Sequence, residues 1–198
     1  MRPRQHPLTP DDRPLGRSFY DRPTALVARA LLGCRLLRVG PDGERVGRLV
    51  ETEAYVARDP ANHAYRGPTA RNASMFGAPG TLYVYRIHQV YCANAVTRPG
   101  EAVLLRAVEP VSPGLRDARG PGRLCRAFGV TRADDGADLV RGSVRILPPN
   151  VPRVGQVLRS PRVGIREAAD RPLRFTLEGS RFVSYPRPWG RRTPPRSK

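Results

Sequence analysis

Residues 46–55 alternate one by one in side-chain character, and residues 81–87 do the same. Residues 91–97 and 102–109 follow, rich in valine, leucine and aromatics. Period-two alternation is a strand signal, because successive side chains on a strand point to opposite faces. Further short strands are expected at 143–147, 156–159 and 173–178. Only two helices interrupt this series. One is predicted over 23–32, with Asp21 as its cap, Pro23 in its first turn and Gly33 as its stop. The other is short, over 123–128, after the Gly-Pro-Gly of residues 120–122. Strands in runs with few helices between them imply an α+β fold. The expected architecture is one compact domain, a curved, mainly antiparallel or mixed sheet with a few peripheral helices. It is expected to span residues 17–186, between a flexible N-terminal tail (1–16) and a basic C-terminal tail (187–198).

The first of these strands carries Val-Glu-Thr-Glu-Ala-Tyr at residues 50–55. Period two places Glu51, Glu53 and Tyr55 on one face, and Val50, Thr52 and Ala54 on the other. On the next strand Tyr83, Tyr85 and Ile87 share a face. Two glutamates are out of keeping with the rest of the chain, whose 35 Lys and Arg against 17 acids give a formal net charge of +18. Such an excess favours phosphate backbones or acidic membranes. No apolar run approaches the ~20 residues that cross a bilayer, and the N-terminus has no apolar signal region. A nucleic-acid partner, no membrane and a cytoplasmic (in a bacterium, nucleoid-associated) setting follow as expectations. A solvated sheet edge would hold two glutamates for solubility alone, so the pair does not by itself announce chemistry.

Two composition details narrow the chemistry. Cys34, Cys92 and Cys125 are isolated, which argues against a zinc site or a disulfide framework. The sole lysine is Lys198, in a Pro/Arg tail, which argues against Schiff-base catalysis.

An ordered set of motifs then resembles a known family. The set is ETEAY (51–55), NHAYRG (62–67), ARNASMF (70–76), PGTLYVY (79–85), CAN (92–94), LLRAVEP (104–110), GPGRLCRAFGV (120–130), PRVGI (161–165) and PLRFTLEGSRFVS (172–184). Together they are similar to the alkyladenine DNA glycosylases, the mammalian-type 3-methyladenine DNA glycosylases. The resemblance implies a monomeric enzyme without metal or organic cofactor. It would flip damaged purines out of duplex DNA and hydrolyse the N-glycosidic bond, leaving an abasic site uncut. Alkylated purines such as 3-methyladenine are the implied substrates, with hypoxanthine and ethenoadenine as further ones.

By matching position, Glu53 would deprotonate the attacking water and face the cationic sugar. A glutamate with an ordinary pKa needs no tuning for this at neutral pH. Arg106 and the Val163 carbonyl would orient that water. Tyr55 and Tyr85 would wall the base, His63 would meet its edge, and Asn94 would screen its substituents. The hairpin after the second strand is one residue short and lacks the family's tyrosine wedge, so Ile87 or His88, with Gln89 beside them, would fill the gap in the duplex. Arg123 would grip a phosphate at a helix start. Glu51 has no catalytic counterpart and reads as structural, bonded to an arginine. Core tyrosines, a loop histidine, a strand asparagine and a solvated arginine are the plain alternatives for these residues. The alternative function is a basic nucleic-acid-binding or damage-binding protein without catalysis.

Overall fold

The computed structural model describes residues 12–153 and 155–188. Most of both expected tails therefore lies outside the described residues. Asp12 nevertheless pairs with Arg35, and the Leu15 N–H donates to the Ile146 carbonyl at 2.8 Å.

Eight strands form one sheet in which every pairing is antiparallel. They are β1 (Arg35–Gly40), β2 (Gly43–Tyr55), β3 (Leu82–Ile87), β4 (Val90–Arg98), β5 (Glu101–Pro110), β6 (Val144–Leu147), β7 (Val157–Ser160) and β8 (Arg174–Leu177). The spatial order is β3-β4-β5-β2-β1-β6, and β8 also joins β2, with β7 beyond it. Strand β2 is the hinge of this arrangement. Along one side it pairs with β5; along the other it pairs first with β1 and then with β8. Three α-helices are present among the described residues: α1 (Arg17–Tyr20), α2 (Thr24–Ala30) and α3 (Pro121–Phe128).

The apolar stripe of α2 covers the Val50–Thr52–Ala54 face of β2. Val27, Ala28 and Leu31 pack with Val50 and Ala54 in the main core, and the Thr52 hydroxyl donates to the Ala28 carbonyl at 2.8 Å. The opposite face is buried too, since Glu51 and Glu53 are 0% exposed. The solvated-edge reading of the two acids is thereby ruled out. Where Glu51 lies, the β2–β5 ladder slips twice: Val50 has no partner on β5 and Arg106 none on β2. These paired bulges turn Arg106 toward the acids while keeping register on either side.

Several expected boundaries shift. Helix α2 begins at Thr24 with Pro23 as its N-cap and no side-chain cap bond, so Asp21 is not the cap. Helix α3 starts two residues early because Pro121 occupies its first turn, where a missing N–H costs nothing. Strand β1 was not expected. Its inward-facing Arg35 interrupts the apolar pattern, yet is 2% exposed, held by Asp12 and by the Pro148 carbonyl at 3.1 Å.

Candidate active site

Glu51 and Glu53 are one residue apart in the chain and sit in opposite electrostatic environments. Glu51 is saturated. Arg106 Nε and Arg174 Nε each donate to its Oε1 at 2.8 Å, the Ser184 hydroxyl donates to the same oxygen at 2.9 Å, and the Ser184 N–H donates to Oε2 at 2.7 Å. Burial alone would raise its pKa. The two guanidinium groups and the Ser184 N–H outweigh burial and hold it below the usual carboxylate range.

Glu53 has fewer donors. The Val163 N–H donates to Oε1 at 2.8 Å, the Tyr55 hydroxyl donates to Oε2 at 3.0 Å, and Arg106 Nη1 lies 3.4 Å from Oε2. Here burial wins. It raises the pKa despite Arg106 and the Val163 N–H, and the negative charge of Glu51 adds to the rise. The expectation of an untuned base is corrected: this carboxylate binds its proton more tightly than a free glutamate.

Arg106 bridges the two acids. For Val163 the visible contact is its N–H, whereas the sequence match concerned its carbonyl. The 161–165 segment reaches β2 from 110 positions away in the chain.

Tyr55, Tyr83 and Tyr85 gather with Met75 and Phe76 in a small cluster apart from the main core. Tyr83 was placed by alternation on the same face as Tyr85 but was not picked out as a site residue. Its hydroxyl lies 3.1 Å from His63 Nδ1, and its ring centroid is 5.6 Å from that of Tyr85. The His63 ring stands edge-on to Tyr85 at 4.3 Å. The face of His63 against these rings is dry, which lowers its pKa and favours the neutral imidazole. Asn94, opposite Tyr83 across β3–β4, is 3% exposed and donates to the Tyr83 carbonyl at 3.0 Å. Tyr55, His63, Tyr83, Tyr85 and Asn94 line a hollow of only about 10 Å³. His63, Tyr83 and Tyr85 also line an open cavity of about 570 Å³, bordered by Arg71, Arg86 and Arg132.

Strands β3 and β4 end in a two-residue turn between Ile87 and Val90. His88 and Gln89 adopt φ of 49° and 85°, the left-handed conformations of a type I′ hairpin, which residues other than glycine, asparagine and aspartate rarely accept. Ile87 stands 45% exposed at this tip. Helix α3 starts beside it: a Cβ on Gly122 would lie 2.8 Å from Val90 Cβ. Arg123 is exposed there and pairs with Asp117 at 3.1 Å, a surface contact weak enough to yield to a phosphate. Gly122→Ala therefore forces the helix start away from the hairpin. A loss of about 1–3 kcal/mol in denaturant unfolding is expected, the usual cost of overpacking.

The family model for "Methylpurine-DNA glycosylase (MPG)" matches residues 18–181. The chain belongs to the methylpurine-DNA glycosylase family. It is therefore a DNA glycosylase of DNA repair, a hydrolase of N-glycosyl bonds. It is 44% identical over 189 residues to a Methanoculleus marisnigri protein, covering 86% of this chain and 98% of that one. It is 46% identical over 183 residues to one from Anaeromyxobacter dehalogenans strain 2CP-C, covering 88% of each. A Myxococcus xanthus protein is 44% identical over 191 residues, covering 91% of this chain and 98% of that one. All three relatives carry the name "Putative 3-methyladenine DNA glycosylase". Among the described residues no helix is long and apolar enough to cross a membrane.

Proposed function

We propose that this methylpurine-DNA glycosylase family member extrudes damaged purines from duplex DNA into the Tyr55–Tyr85 hollow and hydrolyses their bond to C1′ with Glu53 as general base. The observation that carries this reading is the setting of Glu53. It is a buried carboxylate with a raised pKa, bonded to the wall residue Tyr55 and flanked by Arg106. Glu53 takes a proton from water, the oxygen bonds to C1′, and the purine leaves with the electron pair of the broken C–N bond. Arg106 opposes the rise that burial imposes on the carboxylate's pKa, and the Val163 carbonyl, next to the N–H that grips Glu53, holds the water. The same carboxylate faces the positive charge that grows on the sugar.

In the closed arrangement Tyr55 covers Glu53 and the hollow is far smaller than a purine. Entry of the base parts Tyr55 from the His63–Tyr85 side, and the large cavity that His63 and Tyr85 also line gives those rings room to move. Stacking on the aromatic walls repays part of the extrusion cost, at ~1–3 kcal/mol per base. The hairpin tip supplies the wedge. Ile87 is its apolar side chain, with His88 and Gln89 holding the tight turn. Arg123 grips a phosphate nearby, and Asn94 excludes purines whose substituents meet its amide. The chain acts as a monomer in the cytoplasm or on the nucleoid, without a cofactor.

Single-turnover incubation with duplexes holding 3-methyladenine, hypoxanthine or ethenoadenine tests the reading. Released base and an alkali-labile abasic site are expected. Strand cleavage without alkali, or a borohydride-trapped adduct, contradicts the hydrolytic route. Binding of lesion duplex without any release favours the damage-binding alternative. Affinity is expected to fall with salt, with a log–log slope of about −0.9 per phosphate contacted; a flat salt dependence measured by anisotropy contradicts a basic DNA face.

A further inference from the structure

Arg162 is absorbed neither by the hydrolysis scheme nor by the sequence reading. It is fully buried at the end of β2. Its guanidinium lies over the Tyr55 ring, 4.7 Å from the centroid. Nη1 pairs with Asp59 at 2.6 Å, and both side chains are 0% exposed. Nη1 also lies 3.2 Å from the Ala54 carbonyl, to which it donates, whereas Nε and Nη2 find no hydrogen-bond partner among the described residues. Arg162 does not line the hollow, although Tyr55 does. One face of Tyr55 thus carries a cation, and the other is left for the base.

We propose that Arg162 is a positioning residue that acts through Tyr55 to favour neutral damaged purines over cationic ones. The inference rests on the glycosylase reading above and narrows its substrate class. An aromatic face attracts cations through its negative quadrupole. Arg162 already occupies that attraction on one side, inside a dry, weakly screening environment. A purine with a formal positive charge, such as a 7-methylguanine or 3-methyladenine still attached to DNA, meets the far side of a ring with a cation behind it, and departs through the lability that its own charge gives the glycosidic bond. Hypoxanthine, being neutral, does not suffer this repulsion. Asp59 tempers the effect without cancelling it, because the guanidinium is the group stacked on the ring.

The test compares kcat/KM for release of 7-methylguanine and of hypoxanthine from otherwise identical duplexes. The two bases differ in intrinsic lability, but that difference cancels when one enzyme's ratio is divided by another's. The variants are the double substitution Arg162→Met with Asp59→Asn, which avoids leaving one buried charge orphaned, and Arg162→Lys, which keeps a cation behind the ring. The double variant is expected to shift the ratio toward 7-methylguanine by about tenfold, the scale of one cation–π contact. Arg162→Lys is expected to stay within about threefold of the parent on the same scale. Asp59→Asn alone, which leaves the cation uncompensated, is expected to move the ratio the opposite way. A purely structural role lowers both rates together and leaves the ratio in place. A double-variant ratio within about twofold of the parent, or a lysine variant shifted as far as the double, overturns the inference while leaving the glycosylase reading intact. If the parent enzyme releases neither base, both fall.

Discussion

Glu53→Gln is expected to lower single-turnover base release by about 10²–10⁴-fold, the usual contribution of a positioned general base. Glutamine has nearly the same shape and still accepts the Val163 N–H, so lesion binding is expected to persist. In the native enzyme the rate should decline as pH drops through the Glu53 pKa. That acid limb should lie above the ordinary glutamate value of 4.5, because burial raises the pKa. A stability consequence follows with a definite sign. A carboxyl whose folded pKa is raised keeps its proton longer in the folded chain than in the unfolded one. Its favourable contribution is present at low pH and is lost as pH rises through the folded value. Glu53→Gln is thus expected to lose activity while melting at the parent temperature or higher near pH 8, by calorimetry. A mutant that melts well below the parent there would show that Glu53 is a structural acid.

Glu51→Gln should do the reverse. It leaves Arg106 and Arg174, 7% and 2% exposed, facing a neutral partner inside the fold. Breaking a buried pair in this way costs about 3–5 kcal/mol. For a chain of this size that lowers the melting temperature by about 6–20 °C. The pH dependence is also opposite. The Glu51 pKa is depressed, so its contribution is present above the unfolded value near 4.5 and is lost as pH falls. Thermal melts of the parent and Glu51→Gln should therefore stay apart from pH 7 down to about 4.5 and converge only as pH falls further, through the depressed folded value. A mutant as stable as the parent at pH 7 would contradict the structural role.

These contrasting fates of two neighbouring acids show how far the sequence could be read. Alternation put Glu51, Glu53 and Tyr55 on one face of one strand, and that placement follows from the two-residue pleat of any strand. A mainly antiparallel or mixed sheet was also legible, because strands in runs with few helices leave little other choice; the order of its strands was not. What decides which acid is tuned up and which down is contributed by distant chain. Arg174 and Ser184 close over Glu51, Val163 reaches Glu53, and Arg162 backs Tyr55. No local pattern encodes such contacts. The paired bulges at Val50 and Arg106 were equally hidden, since strict alternation predicts no slip. Arg35 and Arg162 escaped notice for a common reason: buried arginines resemble surface ones until their carboxylate partners are known.

The most direct test of Glu53 as the base for an extruded purine is a crystal structure of the Glu53→Gln enzyme on a duplex containing hypoxanthine. The purine is predicted to lie between the rings of Tyr55 and Tyr85, with the residue 53 amide within reach of a water at C1′. A purine still stacked in the duplex, or lodged beside Arg71 and Arg86 with residue 53 remote from its sugar, would contradict that role.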